Sequence, residues 1–293
     1  MWKEKFIDYL RYEKNCSSHT EISYFKDLTQ FQDFISSEIE DFDLLGVDHR
    51  LIRMWIIHLM EMGQKPSTVN RKLSSIKSFY KYLQKQGEMT VNPAVYVQGP
   101  KMQNSLPSFV KHSDMLKVLS SDSFANDFEG FRNRFLIELL YLTGMRRQEL
   151  VMLKDVDVDL YSNVLRVHGK GNKERLIPIS EKTSKLFSEY INIRNEKIKN
   201  RTAYLFVRKN GKQLYSEMVY AIVNKHLSEV KTLSVKSPHV LRHSFATVML
   251  NNGAEINAVK NLMGHTSLSS TQIYTHVTFK ELKKVYNNAH PRA

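Results

Sequence analysis

Cysteine is almost absent from this chain of 293 residues, which contains Cys16 alone. A single cysteine excludes an intramolecular disulfide and any zinc site built from cysteines. No stretch approaches the roughly 18 consecutive uncharged apolar residues of a membrane span, and the charged start MWKEKFIDYLRYEK has no apolar signal-peptide core. These absences exclude a disulfide-stabilised secreted domain and predict a cytoplasmic protein.

Proline and glycine are scarce as well, and their distribution divides the chain. Three of the seven prolines, together with a glycine, fall within residues 92–107, NPAVYVQGPKMQNSLP, where no hydrophobic periodicity remains. Such a stretch is typical of an interdomain linker. Since 293 residues exceed one typical core, we predict an N-terminal domain of residues 1–91, this linker, and a C-terminal domain of residues 108–293.

The formal net charge of +13 is distributed unevenly. Residues 1–99 carry 13 Lys/Arg and 13 Asp/Glu, whereas residues 100–293 carry 30 and 17. The excess of positive charge therefore belongs to the C-terminal part, which favours a polyanionic partner there. A basic balance alone is also found in ribosomal, membrane-surface and ordinary soluble proteins.

The N-terminal part is predicted to be entirely helical. From Trp2 to Gln86, apolar residues recur at intervals of three and four, and no strand pattern interrupts them. The segment KPSTVNRKLSSIKSFYKYLQKQG has the most regular stripe, formed by Val69, Leu73, Ile76, Tyr80 and Leu83. Basic and hydroxyl residues, among them Arg71, Lys72 and Ser75, are predicted to lie largely on other faces, where they would contact phosphates or only solvent.

The C-terminal part is predicted to be mostly helical, with one small antiparallel sheet. FRNRFLIELLYLTG indicates a helix closed by Gly144, and RRQELVML begins another. NVLRVHGKGNKERLIPIS has two β-rich halves around a glycine turn, which predicts a β-hairpin. A short strand pair around Asn210-Gly211 is also expected, and Ser216 and Ser237 are predicted helix N-caps. The fold class is thus mainly α, with two domains.

A first group of polar residues lies in TGMRRQEL and at the tip of the predicted hairpin. Arg146 and Glu149 stand three positions apart in TGMRRQEL, so the carboxylate can hold the guanidinium from one side, although such a pair is most often a surface ion pair of small effect. Lys170 lies between two glycines at the predicted hairpin tip. A solubilising turn lysine is the ordinary explanation for it.

A second group lies in SPHVLRHSFATVML and NLMGHTSLSSTQIYTHV. On a helical wheel His239 and Arg242 are neighbours on a face opposite the apolar stripe that includes Phe245, and small Ala246 leaves space beside them. A solvated histidine and arginine would explain this motif if it stood alone. His265 comes at a predicted helix end, where capping would be a sufficient role.

The combination of these residue types is more specific than any one of them. Two arginines are suited to the non-bridging oxygens of a phosphodiester, because each rigid guanidinium donates paired hydrogen bonds and stays charged. Histidines can donate to the same phosphate or move a proton, and a lysine can protonate a departing alkoxide. A nucleophile is still missing from this set, and Tyr274 is the candidate for it.

The ordered series GMRRQEL, HGKGNKERLIP, HVLRHSFAT and LMGHTSLSSTQIYTH resembles the signature motifs of tyrosine site-specific recombinases, the phage-integrase family, and is most similar to the bacterial Xer recombinases. The likeness extends over essentially the whole chain. FIDYLRYEKNCSSHTEISYFKDLTQF resembles the N-terminal core-binding (SAM-like) domain, and the final HPRA is Xer-like. The resemblance implies a DNA-binding domain over residues 1–91 and a catalytic domain over residues 108–293 with a C-terminal tail helix.

Matching motif to motif, the resemblance implies six catalytic residues: Arg146, Lys170, His239, Arg242, His265 and the nucleophile Tyr274. Glu149 matches the acidic position that supports the first arginine. Arg147 departs from the pattern, since the family more often has an apolar residue there, and it is expected to face solvent or DNA. Additional DNA contacts are predicted at Arg71, Lys72, Lys77, Lys173 and Arg175.

The chemistry implied by the resemblance is two successive transesterifications without cofactor, ATP or metal. Tyr274 would form an O-(3′-phospho-DNA)-tyrosine intermediate, and strands would exchange through a Holliday junction. The implied partner is double-stranded DNA with paired inverted sites, bound by a homo- or heterotetramer with a related recombinase. Residues 278–289 are either exchanged between protomers as a C-terminal helix or packed within the same chain.

The resemblance to Xer recombinases further implies resolution of chromosome or plasmid dimers, with roles in chromosome partition and cell division, a nucleoid-associated cytoplasmic location and a septal DNA translocase as a partner. A mobile-element integrase or a DNA invertase of the same family is the alternative. A type IB topoisomerase shares the chemistry without synapsis. A non-catalytic DNA-binding protein is the alternative from another class, and an RNA-binding protein fits the charge only.

Overall fold

The computed structural model describes residues 2–39, 43–102, 108–120, 122–169, 173–264 and 276–292, without the side chains of residues 276–278 and 280. The chain divides into two compact units, Met1–Ser105 and Leu106–Ala293. Each unit has hydrophobic core residues of its own. No helix among the described ranges is both long and apolar enough to cross a membrane.

The first unit is a helical assembly around one aromatic-rich core. Its α-helices are α1 Trp2–Asp8, α2 Ser18–Glu38, α3 His49–Glu61 and α4 Pro66–Lys85. Ser17 caps α2, Asp48 caps α3, and Pro66 opens α4, where a missing N–H costs nothing. The rings of Phe31 and Trp55 meet edge to face at 5.0 Å between α2 and α3. The helical prediction for this part of the chain is confirmed.

The prediction of a polar face on α4 that contacts solvent or phosphates is wrong for two of its residues. Lys72 and Ser75 are buried. The reason is Asp27 of α2, a buried carboxylate that accepts a hydrogen bond from the Ser75 hydroxyl at 2.7 Å and two from the Arg71 guanidinium at 2.5 and 2.9 Å. The Lys72 ammonium donates to Gln30 beside them. The Asp27 carboxylate on the neighbouring helix therefore explains why this part of the polar face of α4 is directed into the protein.

The second unit combines helices with a three-stranded sheet. Its helices are α5 His112–Ser120, α6 Phe128–Thr143, α7 Arg147–Met152, α8 Glu181–Lys197, α9 Ser216–Leu227, α10 Pro238–Asn251, α11 Ile256–Met263 and α12 His276–Ala289. Its strands are β1 Val158–Asp159, β2 Val164–His168 and β3 Glu174–Pro178, antiparallel and in that order. The predicted hairpin is confirmed, with Leu165 paired to Ile177 and His168 to Glu174.

The central helix of the second unit is α6, whose residues 135–143 are all buried. That explains its nearly continuous apolar sequence, since a helix surrounded by protein has no polar face to show. It ends at Gly144, which has φ +58° and closes the helix in the left-handed conformation that glycine tolerates. The predicted helix and its glycine stop are confirmed.

The structure tests three local predictions, a strand pair near Asn210 and N-caps at Ser216 and Ser237. Around Asn210 there is no strand pair among the described residues, only one bridge between Val207 and Gln213. Ser216 is the first residue of α9 rather than its cap, and its hydroxyl donates to Gln148 at 2.5 Å. Ser237 occupies the N-cap position of α10, as expected, with proline next, but its side chain makes no capping hydrogen bond.

The C-terminal helix α12 packs against α10 and β3 of its own chain. Leu282, Tyr286 and Ala289 are buried and form a small cluster with Phe245 and Met249 of α10. In this chain the apolar side of α12 is therefore covered by the second unit itself.

Candidate active site

Three arginines from separate elements meet at the C-terminal end of α11. Arg146 immediately precedes α7, Arg175 lies on β3, and Arg242 lies one turn into α10. They donate to three successive carbonyl oxygens: Arg175 Nε to Leu262 at 2.7 Å, Arg242 Nη2 to Met263 at 2.7 Å and Arg146 Nη2 to Gly264 at 3.2 Å. We call these residues the arginine collar. The last carbonyls of a helix lack intrahelical partners and carry partial negative charge, so cations stabilise them.

A buried carboxylate, Glu149, ties two members of the collar together. Its Oε1 and Oε2 accept from Arg175 Nη1 and Nη2 at 3.0 and 2.7 Å, while Arg146 donates Nη1 at 2.9 Å and its backbone N–H at 2.8 Å. Burial alone would raise the pKa of Glu149, but hydrogen bonds and charge from Arg175, with help from Arg146, hold that pKa below its usual value. The predicted Arg146–Glu149 contact is thus part of a larger network.

Arg242 is buried, which differs from its predicted place on a polar helix face. Its Nη1 donates to the carbonyl of Gly144 at 2.6 Å, and its Nη2 reaches Met263. The ends of α6 and α11 supply these acceptors, and neither end can be inferred from the periodicity of α10 itself. Burial, followed by the charge of Arg146, lowers the pKa of Arg242 to about 10, so the guanidinium stays protonated at neutral pH.

Gly144 provides one of these acceptors and also leaves room for the ring of Phe245. A Cβ at this position would lie 2.5 Å from Phe245 Cδ1, and φ is +58°. We expect Gly144→Ala to destabilise the protein by about 2 to 5 kcal/mol, because left-handed strain costs roughly 1 to 2 kcal/mol and overpacking roughly 1 to 3 kcal/mol. Denaturant unfolding measures this change in the free energy of unfolding.

Gly253→Ala is the matched control for Gly144→Ala. Gly253 also has a positive φ, of +84°, but no atom lies within 4 Å of the added Cβ. Only the left-handed strain is then introduced, so the loss should be smaller by about 1 to 3 kcal/mol. Equal losses for the two variants would show that close contact with Phe245 is unimportant.

His239 lies near the start of α10 and is exposed. Partial desolvation, followed by the positive charges of Arg147 and Arg242, lowers the pKa of its imidazole below the ordinary value. A neutral imidazole near pH 7 has one donor and one acceptor nitrogen. His239 can therefore either donate a hydrogen bond to an anion or accept a proton there.

Three predicted site residues, Lys170, His265 and Tyr274, lie outside the described residues. Described residues adjoin positions 170 and 265, and the residue before position 265 contacts the collar. Gly169 donates its N–H to the carbonyl of Lys173 at 2.7 Å across the hairpin that contains position 170. Gly264, the acceptor for Arg146, immediately precedes position 265. Of the six predicted catalytic residues, the structure describes Arg146, His239 and Arg242, and the charges of both arginines act on His239.

Residues predicted to contact DNA have different environments. Lys173 is exposed and Lys77 is half-buried. Arg71 is committed to Asp27, Lys72 is buried, and Arg175 is committed to Glu149 and α11, as described above. Arg147, expected to face solvent or DNA, stacks its guanidinium over Tyr220 at 5.9 Å.

Arg175 is the site residue whose role the sequence pattern failed to identify. The alternation of side chains along β3 indicates that Arg175 faces inward. It shares a face of β3 with buried Ile177, while Glu174 and Leu176 are exposed on the other face. An arginine on the inward face of a strand requires an acceptor inside the protein. Nothing local identifies Glu149 as that acceptor, because it is 26 residues away.

Comparison with known proteins gives matches along nearly the whole chain. The model of the Phage integrase family matches residues 110–281, and that of the Phage integrase, N-terminal SAM-like domain, matches residues 4–87. Tyrosine recombinase XerC of Pelotomaculum thermopropionicum is 38% identical over 300 residues, covering 99% of this chain and 98% of the relative. Tyrosine recombinase XerD of Staphylococcus epidermidis is 33% identical over 293 residues, covering 99% and 98%.

A solved structure has the same fold. XerH site-specific recombinase, bound to difH substrate in a pre-cleavage complex, aligns with a TM-score of 0.70 over 96% of this chain and 82% of that chain. Sequence identity in this alignment is 24%, so the likeness concerns the fold alone.

Proposed function

The chain belongs to the phage integrase family of tyrosine recombinases, which cleave and rejoin DNA by transesterification, and from that premise we propose that it is a site-specific recombinase of the Xer type. The observation that carries the proposal is the collar. It brings the guanidinium groups of Arg146 and Arg242 to the carbonyls of Gly264 and Met263, the last two described residues before the segment containing His265 and Tyr274. Two guanidinium groups are suited to the non-bridging oxygens of a phosphodiester.

The first step we propose is attack by the Tyr274 hydroxyl on the scissile phosphate. A bond forms between the tyrosine oxygen and phosphorus, and the bond from phosphorus to the 5′-oxygen breaks, leaving a 3′-phosphotyrosyl link. Since a free tyrosine has a pKa of about 10, its proton must leave as the attack proceeds. Lys170 supplies a proton to the departing 5′-oxygen. In the second step the 5′-hydroxyl of a partner strand attacks the phosphotyrosine and loses its proton, while the bond between phosphorus and the tyrosine oxygen breaks and the tyrosine regains a proton. Strands thereby exchange through a Holliday junction.

Charge on the phosphate is stabilised by groups that differ in exposure. The side chain of Arg146 is 39% exposed, whereas Arg242 is buried. Arg146 is therefore placed to meet an incoming phosphate, and Arg242, protonated at neutral pH, provides a fixed positive charge behind it. Neutral His239, with His265 in the same role by motif, donates to the non-bridging oxygens.

A nicked duplex that loses its 5′-hydroxyl fragment after cleavage tests the proposed chemistry. The protein is expected to accumulate as a covalent adduct on the 3′-phosphate, detected by its reduced mobility in a denaturing gel. Relaxation of supercoiled DNA without recombination between two sites would instead assign the chain to topoisomerase-like activity. Absence of any adduct on DNA carrying the bound site would contradict the proposal.

Lys170→Ala is expected to slow cleavage of ordinary DNA by about 100-fold or more, since general acids contribute roughly 10² to 10⁴. Sulfur in place of the bridging 5′-oxygen leaves as a thiolate without needing a proton. Cleavage of that substrate by the variant should approach the wild-type rate, as measured by single-turnover kinetics.

Lys173→Ala is the matched control for Lys170, because its exposed side chain belongs to the same hairpin. It should retain the wild-type ratio of rates on the two substrates. If sulfur gives no relative recovery to Lys170→Ala, another group is the general acid.

The cellular role we propose is resolution of chromosome or plasmid dimers in the cytoplasm, on double-stranded DNA with paired inverted sites. Full-length similarity to both XerC and XerD proteins supports this role. Four protomers, identical or of two related kinds, would assemble on two sites, with α12 released from its own chain and passed to a neighbour. Dependence on a septal DNA translocase belongs to the same proposal.

A further inference from the structure

Glu149 accepts a different pattern of hydrogen bonds from Arg175 than from Arg146. Arg175 places one guanidinium nitrogen on each carboxylate oxygen, at 3.0 and 2.7 Å. The Arg146 side chain contacts only Oε1, at 2.9 Å, and its backbone N–H takes the other oxygen. The paired geometry, which is the stronger one for a guanidinium and a carboxylate, belongs to Arg175.

We infer that Arg175 is a positioning residue for strand cleavage. Because its Nη1 and Nη2 occupy the two carboxylate oxygens of Glu149, Arg146 cannot adopt that paired geometry. The hydrogen-bond donors of Arg146 then stay available for the scissile phosphate. The inference rests on the proposed recombinase function and deepens it. Arg175 itself does not touch the reacting atoms in this assignment.

The exposure of the two side chains supports this division of roles. The side chain of Arg175 is 11% exposed, and its Nε, Nη1 and Nη2 all have protein acceptors. Arg146 has a side chain that is 39% exposed, and its hydrogen bond to Gly264 is the longest of the three collar contacts with α11. Arg175 is therefore hydrogen-bonded within the protein through all three of its nitrogens, whereas Arg146 is partly exposed at the surface and has the longer contact with α11.

Gly264 lies directly against the Arg175 side chain. A Cβ on that glycine would lie 3.1 Å from both Cδ and Nη1 of Arg175, closer than an ordinary van der Waals contact. The glycine also has φ +66°, which favours glycine over other residues. The end of α11, the Arg175 fork and Glu149 therefore form one packed unit, and Arg146 is added at its edge.

Removing Arg175 changes what Glu149 can bind. A buried carboxylate that loses one cation gains from taking a second hydrogen bond from the cation that remains. Arg146 would then turn both guanidinium nitrogens towards Glu149 and away from the phosphate. A lysine at position 175 restores the charge but cannot span both oxygens, so it should restore the function only in part.

The experiment compares rates of covalent complex formation on two nicked duplexes, one with an ordinary scissile phosphate and one with a methylphosphonate there. A methylphosphonate is uncharged, so it depends less on Arg146. Arg175→Met should slow cleavage of the phosphate on the order of 100-fold, the usual effect of a misplaced catalytic group, and cleavage of the methylphosphonate by less than about tenfold. Arg146→Ala should give the same pattern, and Arg175→Lys an intermediate one.

Two measurements separate this role from a purely structural one. Affinity for the intact site should be unchanged by Arg175→Met. Glu149→Gln combined with Arg175→Met should cleave the phosphate faster than Arg175→Met alone, because glutamine is uncharged and holds Arg146 less tightly. If Arg175→Met loses the same factor on both duplexes, or the double variant gains nothing, Arg175 acts only through folding and the inference is wrong. Failure of the wild-type protein on both duplexes would instead contradict the proposed function.

Discussion

Tyr274→Phe is expected to bind its DNA site with the affinity of the wild-type protein and to form no covalent complex. The change removes one oxygen atom, the proposed nucleophile, and leaves the ring in place. No neighbouring group should substitute, because the assigned arginines, histidines and lysine stabilise charge or move protons and do not form the bond to phosphorus. Gel-shift titration measures the affinity, and the nicked duplex with a denaturing gel measures the adduct.

Tyr161→Phe is the control for this experiment, since the Tyr161 side chain is on the second unit's surface and the residue is 98% exposed. It should form the adduct at the wild-type rate. A covalent complex formed by Tyr274→Phe, located on a different residue by mass spectrometry of the DNA-linked peptide, would assign the nucleophile elsewhere.

Arg242→Met is expected to have the second largest effect, because it removes a charge near the phosphate and two structural hydrogen bonds together. Loss of one preorganised donor to a reacting oxygen typically slows an enzyme by about 100- to 1,000-fold. The carbonyls of Gly144 and Met263 would also lose their donor, at about 1 to 3 kcal/mol for each buried group left unpaired. Single-turnover cleavage and denaturant unfolding measure the two effects separately.

Arg242→Lys distinguishes the two contributions. A lysine keeps the charge but cannot donate to both carbonyls with the geometry of a guanidinium, so we expect it to remain less stable than the wild-type protein and to recover only part of the rate. His243→Ala, at the exposed neighbouring position, should change neither quantity. An Arg242→Met variant with wild-type cleavage would contradict the role of this arginine.

Much of the fold follows from local sequence, and the successes share a cause. The hairpin of β2 and β3 and the helix α6 with its stop at Gly144 were predictable, because period, turn residues and helix stop agree within a short segment. The strand β1 was not, since it has only two residues and exists through its pairing with β2. The bridge near Asn210 is similarly too short for a pattern to distinguish from a strand pair.

The failures arise where a polar side chain finds its partner far along the chain. Ser75 appeared to belong to a solvent face, but its acceptor Asp27 is 48 residues away. Arg242 is buried because the carbonyl of Gly144, 98 residues away, accepts its hydrogen bond. A helical wheel contains no information about such acceptors. Motif resemblance assigned the roles of Arg146 and Arg242, whereas only the coordinates show which groups hold them.

The collar has a consequence for how heat inactivates this protein. Its backbone acceptors are the ends of α6 and α11, and its donors come from α10, β3 and the residue before α7, so each of these contacts joins two elements of the folded unit. A site on a peripheral loop can lose its order while the core persists, because stability varies across a structure. The three arginines can therefore lose their arrangement only when α6, α10 and α11 separate. Catalytic geometry and the core of the second unit should therefore share a single melting transition.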